Sequence, residues 1–165
     1  GMKQRAATAI AISMHPKLII ADEPTSALDV VIQRQVMETL DRLQDELNLS
    51  IILIGHDMGL MAQFVDRLAV MYAGKLMEVG DIGGVFAEPL HPYTRLLIES
   101  LPVLDNRGVF TGIPGVTPSL LTPPAGCVFH TRCPYAFEPC EHEAPVYEQI
   151  RPGRWIACHL HGELP

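Results

Sequence analysis

The stretch Leu18-Ile19-Ile20-Ala21-Asp22-Glu23-Pro24 decides the fold of this chain, because an apolar run ends there in two adjacent carboxylates and a proline. The apolar run predicts a buried β-strand, and the acids then lie where that strand leaves the carboxyl edge of a parallel sheet. At such an edge Asp22 can hold Mg²⁺, directly or through water, while Glu23 can orient or deprotonate an attacking water. The alternative interpretation is a buried strand that ends in a solvated acidic turn.

The residues after the acids predict a helix and a second buried strand. Asp29 is suited to cap the N-terminus of a helix over Val31–Leu47, whose leucines and Val36 recur on one face, and Asn48 closes it. Ser50–Ile54 then reads as a strand that delivers His56 to the same sheet edge as the two acids. A lone histidine after a strand is more often a capped turn residue, but beside two carboxylates it predicts a functional cluster.

Composition limits the classes of function open to this chain. A length of 165 residues with 48% hydrophobic residues suffices for one core and a small appended module. The net charge of −7 argues against nonspecific nucleic-acid binding, which needs a basic face. No apolar stretch approaches the roughly 20 residues that span a bilayer and no signal peptide is recognisable, so the sequence predicts a soluble chain.

Local patterns predict the remaining elements. A helix is expected over 2–14, a short helix over 58–64, a hairpin over 67–72 and 75–80 around Ala73-Gly74, and a helix over 94–101. Twelve of the fourteen prolines lie from Pro89 onward, which predicts a last third without regular helix or central strand. We therefore expect a boundary around residues 102–110, separating a region 1–101 from a loop-rich extension 102–165.

Taken together, these residues resemble the ATP-binding subunit of an ABC transporter. Leu18–Glu23 resembles the Walker B strand, Ser26–Asp29 the D-loop and His56 the switch histidine, while Gly1-Met2-Lys3-Gln4-Arg5 resembles the end of the signature motif with Met2 in place of glutamine. The resemblance implies an α/β fold, the C-terminal half of an ABC-type P-loop NTPase nucleotide-binding domain, followed by a small cysteine-containing extension.

The resemblance also assigns roles around ATP and Mg²⁺. Glu23 is implied as the general base, Asp22 as the residue on the Mg²⁺ side, and His56 as a contact of the γ-phosphate. Asp29 is implied to reach across a head-to-tail dimer, a role compatible with capping its helix. Gly1 is implied as a nucleotide-binding signature glycine, and the alternative is a residue left from a cleaved expression tag.

Motifs that such a subunit needs are missing from this sequence. It contains no Gly-x-x-x-x-Gly-Lys-Ser/Thr phosphate loop and no candidate for the family's Q-loop glutamine. We therefore read the chain as a fragment that does not hydrolyse ATP by itself. Apolar faces left uncovered in such a fragment predict self-association or rearranged packing.

The C-terminal third resembles one subfamily. His91-Pro92-Tyr93-Thr94, Ile113-Pro114-Gly115 and the block from Gly126 to Pro134 resemble the C-terminal extension of oligopeptide and dipeptide importer ATPases. Nickel importers share this extension, so the cargo stays open between peptides and nickel. An ABC ATPase that acts on nucleic acid or the ribosome is a further alternative, although the basic insertions expected of it are absent.

The resemblance implies partners and a location. The partners are a second ABC ATPase subunit in a head-to-tail dimer, two membrane-spanning permease subunits and a periplasmic or extracellular substrate-binding protein, without nucleic acid. The location is the cytoplasmic face of the bacterial or archaeal inner membrane, where the subunit is peripheral.

The tail holds four cysteines, at Cys127, Cys133, Cys140 and Cys158. Their C-x5-C-x6-C-x17-C spacing lacks the paired knuckles of structural zinc sites, whereas four thiolates suit a [4Fe–4S] cluster. The resemblance to peptide importers implies that cofactor in a structural or redox-sensing role. Zinc stays an alternative because four nearby histidines could replace thiols, and so do disulfides and free thiols. These histidines are His130, His142, His159 and His161.

Overall fold

A computed structural model of the chain describes residues 2–101 and 112–165, apart from the side chains of residues 3 and 4. The chain divides into two units, residues 1–65 and residues 66–165. The boundary expected from the sequence at residues 102–110 lies outside the described residues and stays a prediction. In the described part of the chain, no helix is both long enough and apolar enough to cross a membrane.

The first unit is built on two parallel strands. Its elements are helix α1 (Met2–Ile12), strand β1 (Leu18–Asp22), helix α2 (Val30–Leu47), strand β2 (Ser50–Ile54) and helix α3 (Met58–Met61). Strands β1 and β2 pair in parallel from Leu18 opposite Ser50 to Asp22 opposite Ile54, with the bounds that the sequence predicts. Helices α1 and α3 end earlier than expected.

The expected caps of these helices are present. Asp29 accepts a hydrogen bond from the Ile32 N–H at 3.0 Å, and Asp57 accepts one from Leu60 at 2.9 Å. Asn48 ends α2 in the left-handed conformation, with φ of 49°. Each short polar side chain satisfies a helix-terminal group that the helix itself leaves unpaired.

The expectation that β1 and β2 are fully buried is wrong. Val36, Met37 and Leu40 of α2 form the buried core of the unit, with alternate strand residues packed against them. Because successive strand side chains point to opposite faces, the remaining residues of each strand are exposed, and Ile20 retains 63% of its surface. A two-stranded sheet that is covered by helices on one face leaves its other face exposed.

The second unit carries a four-stranded antiparallel sheet in the order β3-β4-β6-β5. Its elements are β3 (Arg67–Tyr72), β4 (Lys75–Asp81), α4 (Ile82–Ala87), α5 (Pro92–Glu99), a 3₁₀ turn (His130–Arg132), α6 (Glu138–His142), β5 (Tyr147–Arg151) and β6 (Arg154–Ala157). Strands β3 and β4 form the expected hairpin. Ala73 and Gly74 have φ of 47° and 76°, the positive values that a two-residue hairpin turn demands.

The expectation that the last third holds no central strand is wrong. Strand β6 lies between β4 and β5, paired with both. The prolines still obey their rule, because Pro152 falls in the turn between β5 and β6, beside Gly153 at φ of 74°. A proline followed by a glycine with positive φ is the pattern of a type II turn, which joins two strands without placing proline in either.

Helix α5 begins two residues before its predicted start, because His91 caps it and Pro92 takes the first helical position. The Tyr93 N–H donates to His91 Nδ1 at 3.0 Å, and His91 is 1% exposed. Burial lowers the pKa of His91 from 6.5 to about 4, against a smaller opposing effect of the Ala157 backbone. His91 is therefore neutral in the folded protein at neutral pH.

This buried histidine makes stability depend on pH. In the unfolded chain His91 takes up a proton near pH 6.5, and in the folded chain it does so only near pH 4. The contribution of neutral His91 to the free energy of unfolding is therefore complete above pH 6.5. It is lost as the pH falls from 6.5 to 4, by on the order of 3 kcal/mol. Urea unfolding of the second unit across this range should show that slope, and His91→Gln should lose most of it. His142→Gln, at an exposed position of α6, should keep it; an unchanged slope in His91→Gln would contradict the assignment.

Candidate functional site at the edge of the parallel strands

Parallel pairing brings the predicted catalytic residues together. The Glu23 N–H donates to the Ile54 carbonyl at 2.9 Å, which extends the β1–β2 ladder by one step past Asp22. Glu23 Oε1 and His56 Nδ1 then lie 3.5 Å apart, within ion-pair distance. The structure thus brings Glu23 and His56 together at one edge, next to Asp22. Their catalytic roles stay predictions.

The backbone at Glu23 is strained. Glu23 has a φ of 43°, and Ala27, four residues on, has a φ of 58°, both in the left-handed region that side chains disfavour. Such conformations cost on the order of 1–3 kcal/mol each, persist only where surrounding contacts enforce them, and cluster at functional sites. The strain points to the turn after β1 as part of a site.

Hydrogen bonds hold the turn from Glu23 to Asp29 in this conformation. The Ser26 N–H donates to the Glu23 carbonyl at 3.0 Å, and the Leu28 N–H donates to the Thr25 carbonyl at 3.3 Å. Asp29, implied by resemblance to act across a dimer, is exposed and caps α2. Its capping role is confirmed, and a role across a dimer stays a prediction.

An open cavity of about 240 Å³ lies beside these residues, entirely within the first unit. Its lining includes Glu23, Thr25, Gln33, His56 and Asp57. The side chains of Glu23 and His56 remain 51% and 81% exposed, so a solute has free access to them. A larger groove of about 430 Å³ lies between α1 and α2 and contains neither residue.

Gln33 is a residue that the sequence did not single out. From the first turns of α2 its Nε2 donates to the Thr25 carbonyl at 3.3 Å, and its side chain is half-buried against the cavity. A glutamine within a polar helix face carries no sequence signal for such a contact. Only the fold shows that position 33 points back at the turn.

Gly1, expected as a nucleotide-binding glycine, lies outside the described residues. The signature-like segment that follows it forms the start of α1. Its proposed contact with nucleotide therefore stays a prediction.

The four cysteines lie in the second unit, and none forms a disulfide. Cys127 and Cys140 are buried in one apolar cluster, with Cys133 packed against it. The Cys127 N–H donates to the Cys140 carbonyl at 2.9 Å, which joins two distant points of the tail. Chain folding thus gathers cysteines that are spread over 32 positions of the sequence.

The thiols are close enough to influence one another's ionisation. Burial, and then the neighbouring cysteines, raise the pKa of Cys158 to about 12. Burial also raises the pKa of Cys127 and of Cys133, with a further rise from Cys140 in each case. With raised pKa values, Cys127, Cys133 and Cys158 are neutral thiols at neutral pH, and each would have to lose its proton to bind a metal ion.

The side-chain positions themselves do not form a metal site. Within residues 2–101 and 112–165, no group of three or more His, Cys, Asp or Glu side chains is placed to hold a metal ion. Electrostatic influence extends over longer distances than metal–sulfur bonds, so the two observations describe thiols that are gathered but not at ligand distance. The structure therefore gives the expected iron–sulfur cluster no support beyond its donor set.

A solved structure defines the class of fold. The chain is similar to cbiO1 from Clostridium perfringens, described as part of the ABC transporter complex cbiONQ, with a TM-score of 0.50 and 37% sequence identity. The similarity covers 53% of this chain and 35% of that one. The fold is mixed α/β and similar to that of an ABC transporter component.

Sequence comparison finds relatives among peptide-transport proteins. Residues 77–140 match the family described as the C-terminal region of oligopeptide/dipeptide transporters. The chain is 48% identical over 159 residues to the oligopeptide transport ATP-binding protein OppD of Salmonella typhimurium, covering 96% of this chain and 47% of that protein. It is 44% identical over 160 residues to the dipeptide transport ATP-binding protein DppD of Escherichia coli, covering 96% and 49% respectively.

A third relative is the oligopeptide transport ATP-binding protein AppF of Bacillus subtilis, 44% identical over 165 residues that make up 98% of this chain and 50% of that protein. The expected resemblance is confirmed: the chain matches the C-terminal part of ATP-binding proteins of oligopeptide and dipeptide ABC transporters. It spans about half the length of these curated relatives.

Gln33 offers a test of how the turn is held. In an ATP-binding subunit that carries this sequence and a phosphate loop, Gln33→Met should lower kcat for ATP hydrolysis about tenfold, because a misplaced catalytic turn costs rate more than binding. KM for ATP should change less than twofold. Gln35→Met, at an exposed position two residues along the same helix, should leave both constants unchanged. If Gln33→Met and Gln35→Met had the same kcat, the hydrogen bond from Gln33 to the Thr25 carbonyl would not be needed to position the turn.

Proposed function

We propose that the chain supplies the catalytic carboxylates, D-loop and switch histidine of an ATPase that energises import of di- or oligopeptides. The observation that carries the proposal is the approach of Glu23 Oε1 and His56 Nδ1 to 3.5 Å at the end of paired parallel strands. Similarity to peptide-transport ATP-binding proteins over nearly the whole chain supports the peptide cargo over nickel and over a nucleic-acid partner.

The proposal assigns a function to each residue of the strand edge. Glu23 orients the attacking water and accepts its proton, while His56 keeps the carboxylate in line and contacts the terminal phosphate. Asp22 holds Mg²⁺, which when bound neutralises charge on the phosphates. The strained backbone at Glu23 supports the assignment, because such conformations cluster at functional sites.

The proposed assembly rests on the similarity to peptide-transport ATP-binding proteins. In it, a phosphate loop, a motif that this sequence does not contain, supplies the phosphate cradle. We place the subunit at the cytoplasmic face of the membrane, bound to two permease subunits and served by a substrate-binding protein. Asp29, at the exposed end of the turn, is proposed to contact a second ATPase subunit in a head-to-tail dimer.

Substitution of the proposed base tests the catalytic assignment. In an ATP-binding subunit that joins this sequence to a phosphate loop, Glu23→Gln should reduce steady-state hydrolysis by at least about 100-fold, because the shape is kept and the base is lost. ATP binding should be unchanged, and His56→Ala should reduce turnover with a smaller effect on binding. Glu38→Gln, which changes an exposed carboxylate on α2, should hydrolyse normally. Near-normal turnover by Glu23→Gln would mean that another group is the base.

We further propose that Cys127, Cys133, Cys140 and Cys158 hold a [4Fe–4S] cluster with a structural or redox-sensing role. The donor set supports it, since Cys127 and Cys140 lie in one apolar cluster with Cys133 packed against it, and all three influence the ionisation of Cys158. Binding needs the four thiols to close to ligand distance and to lose their protons, which the cluster's positive charge would favour. Zinc is the second candidate for the same residues.

The colour of the protein tests the cluster. Anaerobically purified protein should be brown, absorb broadly near ~400 nm and contain iron and sulfide, and Cys133→Ser should lose the colour. Thiolate ligands also bind zinc, but a protein that holds zinc would be colourless. A colourless anaerobic preparation with one zinc per chain would replace the iron–sulfur assignment with zinc.

A further inference from the structure

Arg132 makes an unusually complete set of contacts for a half-buried side chain. Its Nη2 donates to the Ile113 carbonyl at 2.7 Å and its Nε donates to the Pro114 carbonyl at 2.8 Å. Its Nη1 donates to the Thr117 hydroxyl and to the Tyr72 hydroxyl, both at 3.3 Å. One guanidinium thus ties the segment 113–117 to the end of strand β3.

The segment 113–117 is irregular and mostly exposed. It contains no helix or strand, and Val116 keeps 86% of its surface exposed. Among the hydrogen bonds between described residues, those that reach 113–117 from elsewhere in the chain come from Arg132. Gly115 fits closely against the same side chain, since a Cβ added there would lie 3.0 Å from Arg132 Cγ.

One residue of the segment lies against the cysteine-bearing core. Ile113 packs on the apolar cluster that contains Cys127 and Cys140, and Cys133 packs on the same cluster. Arg132 directly precedes Cys133, so the residue that fastens the cover is adjacent to one of the thiols. Loss of the Arg132 contacts would free Ile113 and open this side of the cluster to water.

We propose that Arg132 is a latch that holds the segment 113–117 as a cover over the cysteine-bearing core and thereby controls access of solvent and thiol reagents to Cys127, Cys133 and Cys140. A planar guanidinium is needed because its fork of donors reaches two successive carbonyls and two hydroxyls at once. A lysine has a single ammonium that cannot span them. The proposal depends on the proposed function in one respect only: the thiols under the cover are the proposed cluster ligands.

The test uses the whole chain prepared without metal, and an aromatic disulfide as the probe. A cysteine thiolate attacks one sulfur of the reagent, a protein–reagent disulfide forms, and the aromatic thiolate that leaves is measured by its absorbance. Arg132→Met, which keeps an unbranched apolar stem and removes every donor, should raise the reaction rate at least about tenfold. Arg132→Lys should give an intermediate rate.

Arg151→Met is the matched control. Arg151 is an exposed arginine of the same unit and donates two hydrogen bonds to Glu88, at 2.6 and 3.0 Å. Its loss should leave thiol reactivity at the wild-type rate, since this pair does not contact the segment 113–117. Equal acceleration by Arg151→Met and Arg132→Met would overturn the proposal, because it would mean general loosening of the unit.

Gly115→Ala provides a second route to the same outcome. The added methyl group crowds Arg132, and at φ of 83° it also strains the backbone, so the cover should lift while the Arg132 side chain stays intact. If the urea unfolding midpoint shows that Arg132→Met does not fold, the thiol reaction rate of Gly115→Ala tests the proposal in its place. Wild-type rates in folded Gly115→Ala and Arg132→Met would overturn the latch. Because metal-free thiols are measured, the result is independent of whether the chain binds a cluster or hydrolyses ATP.

Discussion

A buried carboxylate organises the second unit. Glu78 is fully buried on strand β4, where it accepts hydrogen bonds from the Leu90 and His91 N–H groups at 3.0 Å and from Arg154 of strand β6. An ionised carboxylate withdrawn from water is tolerated only when its lone pairs are satisfied and its charge is paired. The fold must therefore bring the hairpin, the turn before α5 and the C-terminal strand to one point. Arg154 also donates to the Glu88 carbonyl at 2.7 Å, which closes the network.

The cysteine-bearing region takes its shape from this constraint. With β6 fixed beside β4, the 3₁₀ turn places Phe129 against Tyr72 and Tyr93, at ring-centre distances of 5.1 Å in each case. This aromatic cluster is continuous with the apolar cluster that holds Cys127 and Cys140. The thiols are thus gathered by packing and by a buried ion pair, without a cross-link. A bound cluster or metal would then add to an existing arrangement and would not have to create it.

The sequence predicted the local elements and the meeting of Glu23 with His56, and it missed most other features that depend on distant residues. Strands β1 to β4 and the Asp29 cap follow from local apolar patterns and turn chemistry, so their positions were predicted closely. Strands β5 and β6 were missed because the high proline content of the tail outweighed the Pro152-Gly153 turn signal, which was present. The contacts of Gln33 and Arg132 reach 8 and 15 to 60 positions along the chain and leave no local pattern. Burial of β1 was overestimated because an apolar run does not show how many faces of a strand are covered.

The two candidate sites are built on opposite physical principles. The thiols are withdrawn from water by packing, whereas Glu23 and His56 stand exposed at the end of the paired strands, with left-handed backbone at Glu23. At their exposure the attraction between the two side chains is screened by water and contributes little energy, so their pairing alone cannot drive catalysis. Electrostatic stabilisation of a phosphoryl transition state requires a site from which water is excluded. In the proposed ATPase the strand edge would therefore need a second surface to close over it, which the proposed head-to-tail partner and phosphate loop would provide.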